Sequence, residues 1–351
     1  MDRIIAEDCL ACLPKLDLSP MDGKTVLITG ANGMLGTYLI TFLHLANITQ
    51  GAGIRIVAVS RHPPCGKLSG LFRNGGDQYR FLAADLAASD LPELPWKTDF
   101  IIHAATYAQP EIFMKNFSET IRLNVLTTEN LLKKAKADGA KFLFLSSSEV
   151  YGNPDPAHIP TPEDYPGLCP PLSLRSVYAE SKRTGETLCS AYEKLESVDA
   201  KIARISMSYG PGLTIRDKRV MGQFLKEALC DGKITMLDDG KKVRTFCYAA
   251  DCAAMLLTVL LHGKDIVYNV GGTDRLTIRQ LAEEICRQTG SSLTVGQPRL
   301  PSEKEVEVSP EAVELDLTKI RSEFDLPPFV PFKKGLARTI AWNRERLECG
   351  V

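Results

Sequence analysis

The chain has 351 residues, 42 of them basic and 43 acidic, for a formal net charge of −1. That length can bury a large core, as one big domain or two intimate lobes. The balanced charge gives no expectation of nucleic acid or a membrane surface as partner, and no apolar run is long enough to span a bilayer. Ten cysteines are scattered without a paired framework. Cys9 and Cys12 are the one close couple, and no second pair matches them. Free thiols in a reducing cytoplasm are therefore a simpler reading than a zinc site or a redox pair, and no metal is expected. The opening Met1-Asp-Arg-Ile-Ile-Ala-Glu-Asp is too acidic and too poor in apolar residues for a secretion signal, so the expected location is the cytoplasm.

Residues 1–21 read as a short amphipathic extension, with Ile4, Ile5, Cys9, Leu10 and Leu13 on one side of a helix ending near Pro14. From Lys24 strands and helices alternate. Thr25-Val-Leu-Ile-Thr is a continuous apolar run, as a parallel strand buried on both faces requires. A helix follows over Met34 to Leu45, then strands at Arg55 to Ser60, Tyr79 to Ala84 and Phe100 to Ala105. A long helix is expected over about Asn116 to Asp138, a fifth strand from Lys141, a helix carrying Tyr178, and a strand over Ala200 to Ile205. This alternation predicts an α/β fold, a doubly wound parallel sheet of the Rossmann kind with a dinucleotide site at the strand C-termini. After about Ser206 the segments shorten and Gly and Pro punctuate more often, with helices expected at Val220 to Cys230, Ala249 to Leu261 and Thr277 to Thr289. The expected division is an extension over 1–21, a cofactor domain over 22–205 and a smaller mixed α/β substrate lobe over 206–351.

Three segments carry chemistry. Gly30-Ala-Asn-Gly33-Met-Leu-Gly36 lies between a strand and a helix, where glycine permits a tight turn and lets backbone N–H groups approach a pyrophosphate at the helix N-terminus. Tyr178-Ala-Glu-Ser-Lys182 puts a phenol and an ammonium on one helix face. A nearby positive charge favours the phenolate, giving a base that can take a proton from a sugar hydroxyl. Between them, Ser146-Ser147-Ser148-Glu149 ends the fifth strand. A hydroxyl there can bond the sugar hydroxyl being oxidised, and a carboxylate can work the neighbouring carbon; the bland alternative is a strand-end turn.

The candidate cofactor contacts are Gly30, Asn32, Gly33, Met34 and Gly36 in the turn, Asp85 and Leu86 after the third strand, Ala104 and Ala105 after the fourth, and Asn124, Tyr178 and Lys182. Asp85 suits an adenine contact or a helix N-cap. His103 lines the crevice or is a satisfied core histidine. The second strand ends in Ser60-Arg61-His62, without the acid that would repel a 2′-phosphate. Arg61 thus pairs with the phosphate of NADP, stacks on adenine or faces solvent, and the cofactor is written NAD(P). Among Arg204, Arg216, Arg219 and Arg244, one or two are expected to hold a nucleotide diphosphate, since arginine forks match its oxygens.

Taken together, these segments resemble the extended short-chain dehydrogenase/reductase family, specifically its nucleotide-sugar branch, from Lys24 to about Arg346. His103-Ala-Ala, Ser-Val-Tyr-Ala-Glu-Ser-Lys, Tyr209-Gly-Pro and Arg244-Thr-Phe-Cys-Tyr-x-x-Asp251 stand where that branch has its motifs. The resemblance implies NAD as cofactor, a nucleotide sugar as substrate, a homodimer, and catalysis by Ser147, Glu149, Tyr178 and Lys182. Ser147-Ser148-Glu149 is similar to the Thr-Ser-Glu of UDP-glucuronate decarboxylases and GDP-mannose 4,6-dehydratases, whereas dTDP-glucose-type dehydratases carry Asp where this chain has Ser148. Ala108-Gln-Pro110-x-x-Phe113 and Asp217-Lys-Arg219-Val look like decarboxylase segments, so Pro110, Ser148, Arg219 and Arg244 are the implied substrate contacts. Met207 departs from the asparagine common there. Decarboxylation leads, a 4,6-dehydratase is the close alternative, and a 4-epimerase a weaker one. A non-catalytic NAD(P) sensor on the same fold is the alternative from another class, though it has no use for Ser147, Tyr178 and Lys182 together.

Overall fold

A computed structural model of the chain describes residues 2–64, 66–296 and 310–348. Six strands follow in chain order up to residue 205: β1 (Thr25–Thr29), β2 (Arg55–Ser60), β3 (Tyr79–Ala83), β4 (Phe100–His103), β5 (Lys141–Ser147) and β6 (Ala200–Ile205). The second half supplies β7 (Met207–Tyr209), β8 (Lys233–Met236), β9 (Val243–Tyr248), β10 (Val267–Val270), β11 (Asp274–Thr277), β12 (Ser292–Val295) and β13 (Ala312–Val313).

The large sheet has seven strands in the order β10-β6-β5-β4-β1-β2-β3, all parallel. β1 lies inside it with every residue buried, which is why its sequence is a run of apolar residues and threonines rather than an alternation. Two apolar clusters cover the two faces, one containing Val26 and Ile28, the other Leu27, Val57 and Ile101. The neighbours β1 and β4 follow different connections, so the loops leaving their C-terminal ends part and leave a crevice there. Position 206 does not bound the sheet: β10, from the later part of the chain, pairs with β6 from Val267↔Ile202 to Val270↔Ile205 and closes one edge.

A smaller sheet in the order β11-β9-β13, with β7 also on β9, hangs beside that crevice. The β12–β8 pair forms a third. The Asn116–Asp138 helix of the sequence reading is Phe117–Ile121, a wider π turn over Arg122–Leu126, and Thr127–Asp138. The wide turn falls on Asn124, a buried side chain that bonds outward to two neighbours.

The extension forms an Arg3–Cys12 helix capped by Asp2. Ile4, Ile5, Cys9 and Leu13 are buried as expected, but Leu10 is 44% exposed, because that position turns away from the Ile5–Cys9–Cys12 seam. One buried acid ties the helix down: Asp8 accepts from Tyr38 Oη at 3.1 Å and Tyr248 Oη at 2.6 Å and pairs with Arg338 at 2.5 Å.

Candidate active site

The turn after β1 is packed as tightly as glycine allows. Gly30 has φ +68°, and a Cβ on it would stand 2.6 Å from the Ala104 carbonyl carbon; a Cβ on Gly36 would stand 2.5 Å from Gly30 O. Both positions therefore exclude any larger residue. Gly33 caps the Met34–Gln50 helix without a side-chain hydrogen bond, leaving first-turn N–H groups for an anion. These features fit a dinucleotide pyrophosphate.

A cleft of about 700 Å3 runs from this turn along the ends of β4 and β5 to β9. It brings together Gly30, Gly33, Met34, Gly36, Ala104, Pro110, Ser147, Ser148, Glu149, Tyr178, Arg219 and Arg244. The Tyr178 ring is buried and stacks on Phe113, centroids 4.9 Å apart and planes 13° from parallel. Burial drives its pKa up, against the opposing effects of the Ser147 side chain and Arg219. Lys182 is buried too; its Nζ donates to Leu145 O at 2.6 Å and lies 4.5 Å from the Phe144 ring centroid. Desolvation lowers it to about 7, with Glu186 opposing. Burial pushes both groups toward neutrality, the direction opposite to the partial ionisation of the phenol expected from the Tyr178–Lys182 spacing.

Glu149 follows Ser147 in a short 3-10 turn whose N–H bonds Ser147 Oγ at 3.2 Å. Its carboxylate accepts from Arg175 Nη2 at 2.8 Å and Nε at 3.2 Å. Phenol, hydroxyl and carboxylate thus share one wall and can move protons at adjacent carbons of a bound molecule. Lys218, Arg219, Lys242 and Arg244 line the rest of the cleft; the Arg219 fork is closed on Asp217 at 2.7 to 3.2 Å, so the positive charge open to phosphate oxygens comes chiefly from the other three. Gln109 Oε1 accepts from Lys218 N at 3.0 Å, so the Ala108-Gln-Pro110 and Asp217-Lys-Arg219 segments meet across the cleft.

Other expected residues lie outside the lining. Asn32 bonds His62 O at 2.6 Å. Arg61 donates to Tyr107 Oη at 2.7 Å at the exposed rim. Asp85 accepts from Ala87 N at 3.0 Å, a turn-capping contact, and Leu86 is buried in the core. Ala105 N bonds Thr29 Oγ1 at 3.3 Å. Asn124 bridges Thr106 and Ser181, at 2.8 and 2.9 Å, and so steadies the Tyr178 helix. His103 is the satisfied core histidine: Nε2 donates to Leu123 O at 2.9 Å, Nδ1 meets Thr29 Oγ1 at 2.8 Å, and burial lowers its pKa to about 3.

Arg204 lies outside the cleft lining, away from any diphosphate held there. Its fork is closed on Glu186 at 2.7 to 3.2 Å and its Nη1 on Glu163 O at 2.8 Å, and Ser146 joins the same carboxylate. Arg216 is exposed and outside the cleft lining. The sequence reading assigned no role to Arg175, although a residue three before Tyr178 shares its helix face. Among the described residues no cluster of metal-ligating side chains occurs, and no helix is long and apolar enough to cross a membrane.

Known proteins are similar to this chain in sequence and in architecture. The chain is 32% identical over 336 residues to UDP-glucuronic acid decarboxylase 1 of Xenopus tropicalis, covering 94% of this chain and 75% of that one. It is 30% identical over 325 residues to UDP-glucuronic acid decarboxylase 1 of Arabidopsis thaliana, covering 92% and 70%. Among solved structures, the dTDP-glucose 4,6-dehydratase of Streptomyces venezuelae, with NAD bound, superposes with a TM-score of 0.76 at 25% identity, over 93% of this chain and 98% of that one. The UDP-glucuronic acid 4-epimerase of Bacillus cereus, in complex with UDP-glucuronic acid and NAD, gives 0.76 and 25% over 92% and 99%. Residues 26–271 match the NAD dependent epimerase/dehydratase family, and the chain belongs to that family.

Proposed function

We propose that the chain is an NAD(P)-dependent nucleotide-sugar enzyme that converts UDP-glucuronate to a pentose nucleotide and carbon dioxide. The observation that carries this reading is the convergence of Tyr178, Ser147 and Glu149 on one cleft in a chain 32% identical to a UDP-glucuronic acid decarboxylase. Residues 22–205 hold the cofactor and 206–351 hold most of the nucleotide sugar, with Pro110 and Ser148 reaching it from the first part. Gly30, Gly33, Met34 and Gly36 cradle the pyrophosphate. Arg219 and Arg244 face the substrate diphosphate.

When bound, NAD supplies a reversible hydride acceptor for C4, so the reaction has no net redox. Tyr178 takes the C4 hydroxyl proton, and Ser147 bonds the same oxygen. The C4 ketone is then β to the carboxylate. The C5–C6 bond breaks, carbon dioxide leaves, and the electron pair passes into an enolate. Glu149 manages the proton that C5 takes up from solvent, and Tyr178 returns its proton to the C4 oxygen. Lys182 contacts the ribose and supports Tyr178.

Two further readings rest on particular residues. Phe117, Ile121 and Leu126 are exposed along one helical stretch, at 56%, 42% and 44%, which supports a homodimer through that face. The eight described cysteines are free, which supports a cytoplasmic setting.

Mass spectrometry after incubation with a panel of nucleotide sugars tests the reaction: the pentose nucleotide from UDP-glucuronate is expected, and turnover confined to neutral hexose nucleotides would overturn it. A separate prediction concerns the cofactor. Arg61 bonds Tyr107 and His62 at the exposed rim, with donors left over for a 2′-phosphate, so NADP is expected to bind at least comparably to NAD. Arg61→Ala is expected to weaken NADP by about tenfold, the loss of one charge-assisted contact, and to leave NAD little changed. Calorimetry on cofactor-stripped protein checks this; a strong NAD preference unchanged in Arg61→Ala would show that Arg61 reads no phosphate.

A further inference from the structure

Two separate elements carry the reacting groups. Ser147 and Glu149 stand at the end of β5 and in the turn after it, whereas Tyr178 and Lys182 stand on the Ser176–Glu196 helix. Proton transfers at neighbouring carbons need these elements held at a fixed offset, since displacements of about 1 Å at a reacting centre cost about 100-fold in rate. Glu149 is a poor fixture on its own: it has several rotatable bonds, sits in a short turn, and its side chain is 33% exposed.

Arg175 spans the gap. It is the N-cap of the Tyr178 helix, and its own N–H bonds Ser173 Oγ at 3.2 Å. From there its guanidinium grips Glu149 with Nη2–Oε1 at 2.8 Å and Nε–Oε2 at 3.2 Å. Two roughly parallel bonds from a planar fork fix direction as well as distance, which a single contact does not. Because Arg175 lies one helical turn before Tyr178, the fork couples the carboxylate to the element that carries the phenol.

We propose that Arg175 is a positioning residue that acts through Glu149 on the C5 step, and that C4 oxidation does not depend on it. This rests on the decarboxylation reading above. In that chemistry the C5–C6 electron pair moves into the C4 enolate as carbon dioxide leaves. C5 then takes one proton from solvent by way of Glu149 before C4 is reduced again. A misdirected Glu149 slows only the delivery of that proton.

The test uses the full chain loaded with cofactor, UDP-glucuronate as substrate, and the variants Arg175→Gln, Arg175→Lys, Glu149→Gln and the double Arg175→Gln/Glu149→Gln. Arg175→Gln is expected to lower pentose-nucleotide formation by about 100-fold. KM should move little, and reduced cofactor should accumulate in the steady state, as seen by its absorbance. Arg175→Lys should recover part of the rate, because an ammonium can hold the carboxylate but not with a fork. The double variant should be no slower than Glu149→Gln alone, the signature of residues acting as one unit. Rates that multiply in the double variant, or an Arg175→Gln enzyme that loses C4 oxidation without building up reduced cofactor, would overturn the proposal. A wild type that releases no carbon dioxide from UDP-glucuronate would instead overturn the decarboxylation reading beneath it.

Discussion

Tyr178→Phe is expected to lower turnover by roughly two to four orders of magnitude, the usual worth of a positioned general base. The substitution removes one oxygen and leaves the ring, so the stack on Phe113 at 4.9 Å survives. The glycine turn lies on a different element, and cofactor binding should stay within a few-fold of wild type. Burial raises the Tyr178 pKa, against the Ser147 side chain and Arg219. No neighbouring hydroxyl replaces it at that position: an aliphatic hydroxyl such as Ser147 ionises less readily than a phenol, and it already accepts from Glu149 N. Single-turnover kinetics together with cofactor titration check this. Near-normal turnover in Tyr178→Phe would remove Tyr178 from the mechanism.

Lys182→Met is expected to do two opposite things. Turnover should fall by about two orders of magnitude or more, because the residue that supports the phenol is gone. Stability of the cofactor-free protein should rise at neutral pH. The fold depresses Lys182 from its ordinary value of 10.5 to about 7, chiefly by desolvation. Between those two values the unfolded chain carries a proton on this lysine that the folded chain has shed. Wild-type stability from this group therefore climbs with pH across that window, by at most about 1.4 kcal/mol per pH unit, and falls as pH drops toward 7. Methionine has similar length, does not titrate, and suits the contact with Phe144. The stabilisation by Lys182→Met should be largest near pH 7 and fade as pH approaches 10. Thermal midpoints of both proteins across that range check it. A Lys182→Met protein that is less stable at pH 7 than at pH 10, relative to wild type, would contradict the sign.

What the sequence showed and what it hid follow from the range of the interactions involved. β1, β2 and β5 were legible because burial on both faces demands continuous apolar runs, and the Gly30–Gly36 turn was legible because two of its positions admit no side chain. Ser147, Glu149 and Tyr178 were found from local spacing and lie in the cleft. The misses involve partners far apart in sequence. β10 is a four-residue strand whose place beside β6 depends on a return across residues 206–266. Sequence leaves four arginines as candidates for one or two diphosphate contacts, because nothing local shows that Glu186 faces Arg204 at 2.7 Å. Spacing places Lys182 beside Tyr178, but only the packed structure shows the solvent that each loses. Arg175 carries no local signal because its partner, Glu149, lies 26 positions away.

The most direct test of the account is to give the wild-type protein UDP-glucuronate labelled at its carboxyl carbon and to follow the label. The account predicts labelled carbon dioxide, an unlabelled pentose nucleotide in equal amount, and no 4-keto-6-deoxy product from a hexose nucleotide offered in parallel. Label retained in the nucleotide, with a 4-keto-6-deoxy sugar formed from the hexose nucleotide, would contradict decarboxylation and leave the chain a dehydratase.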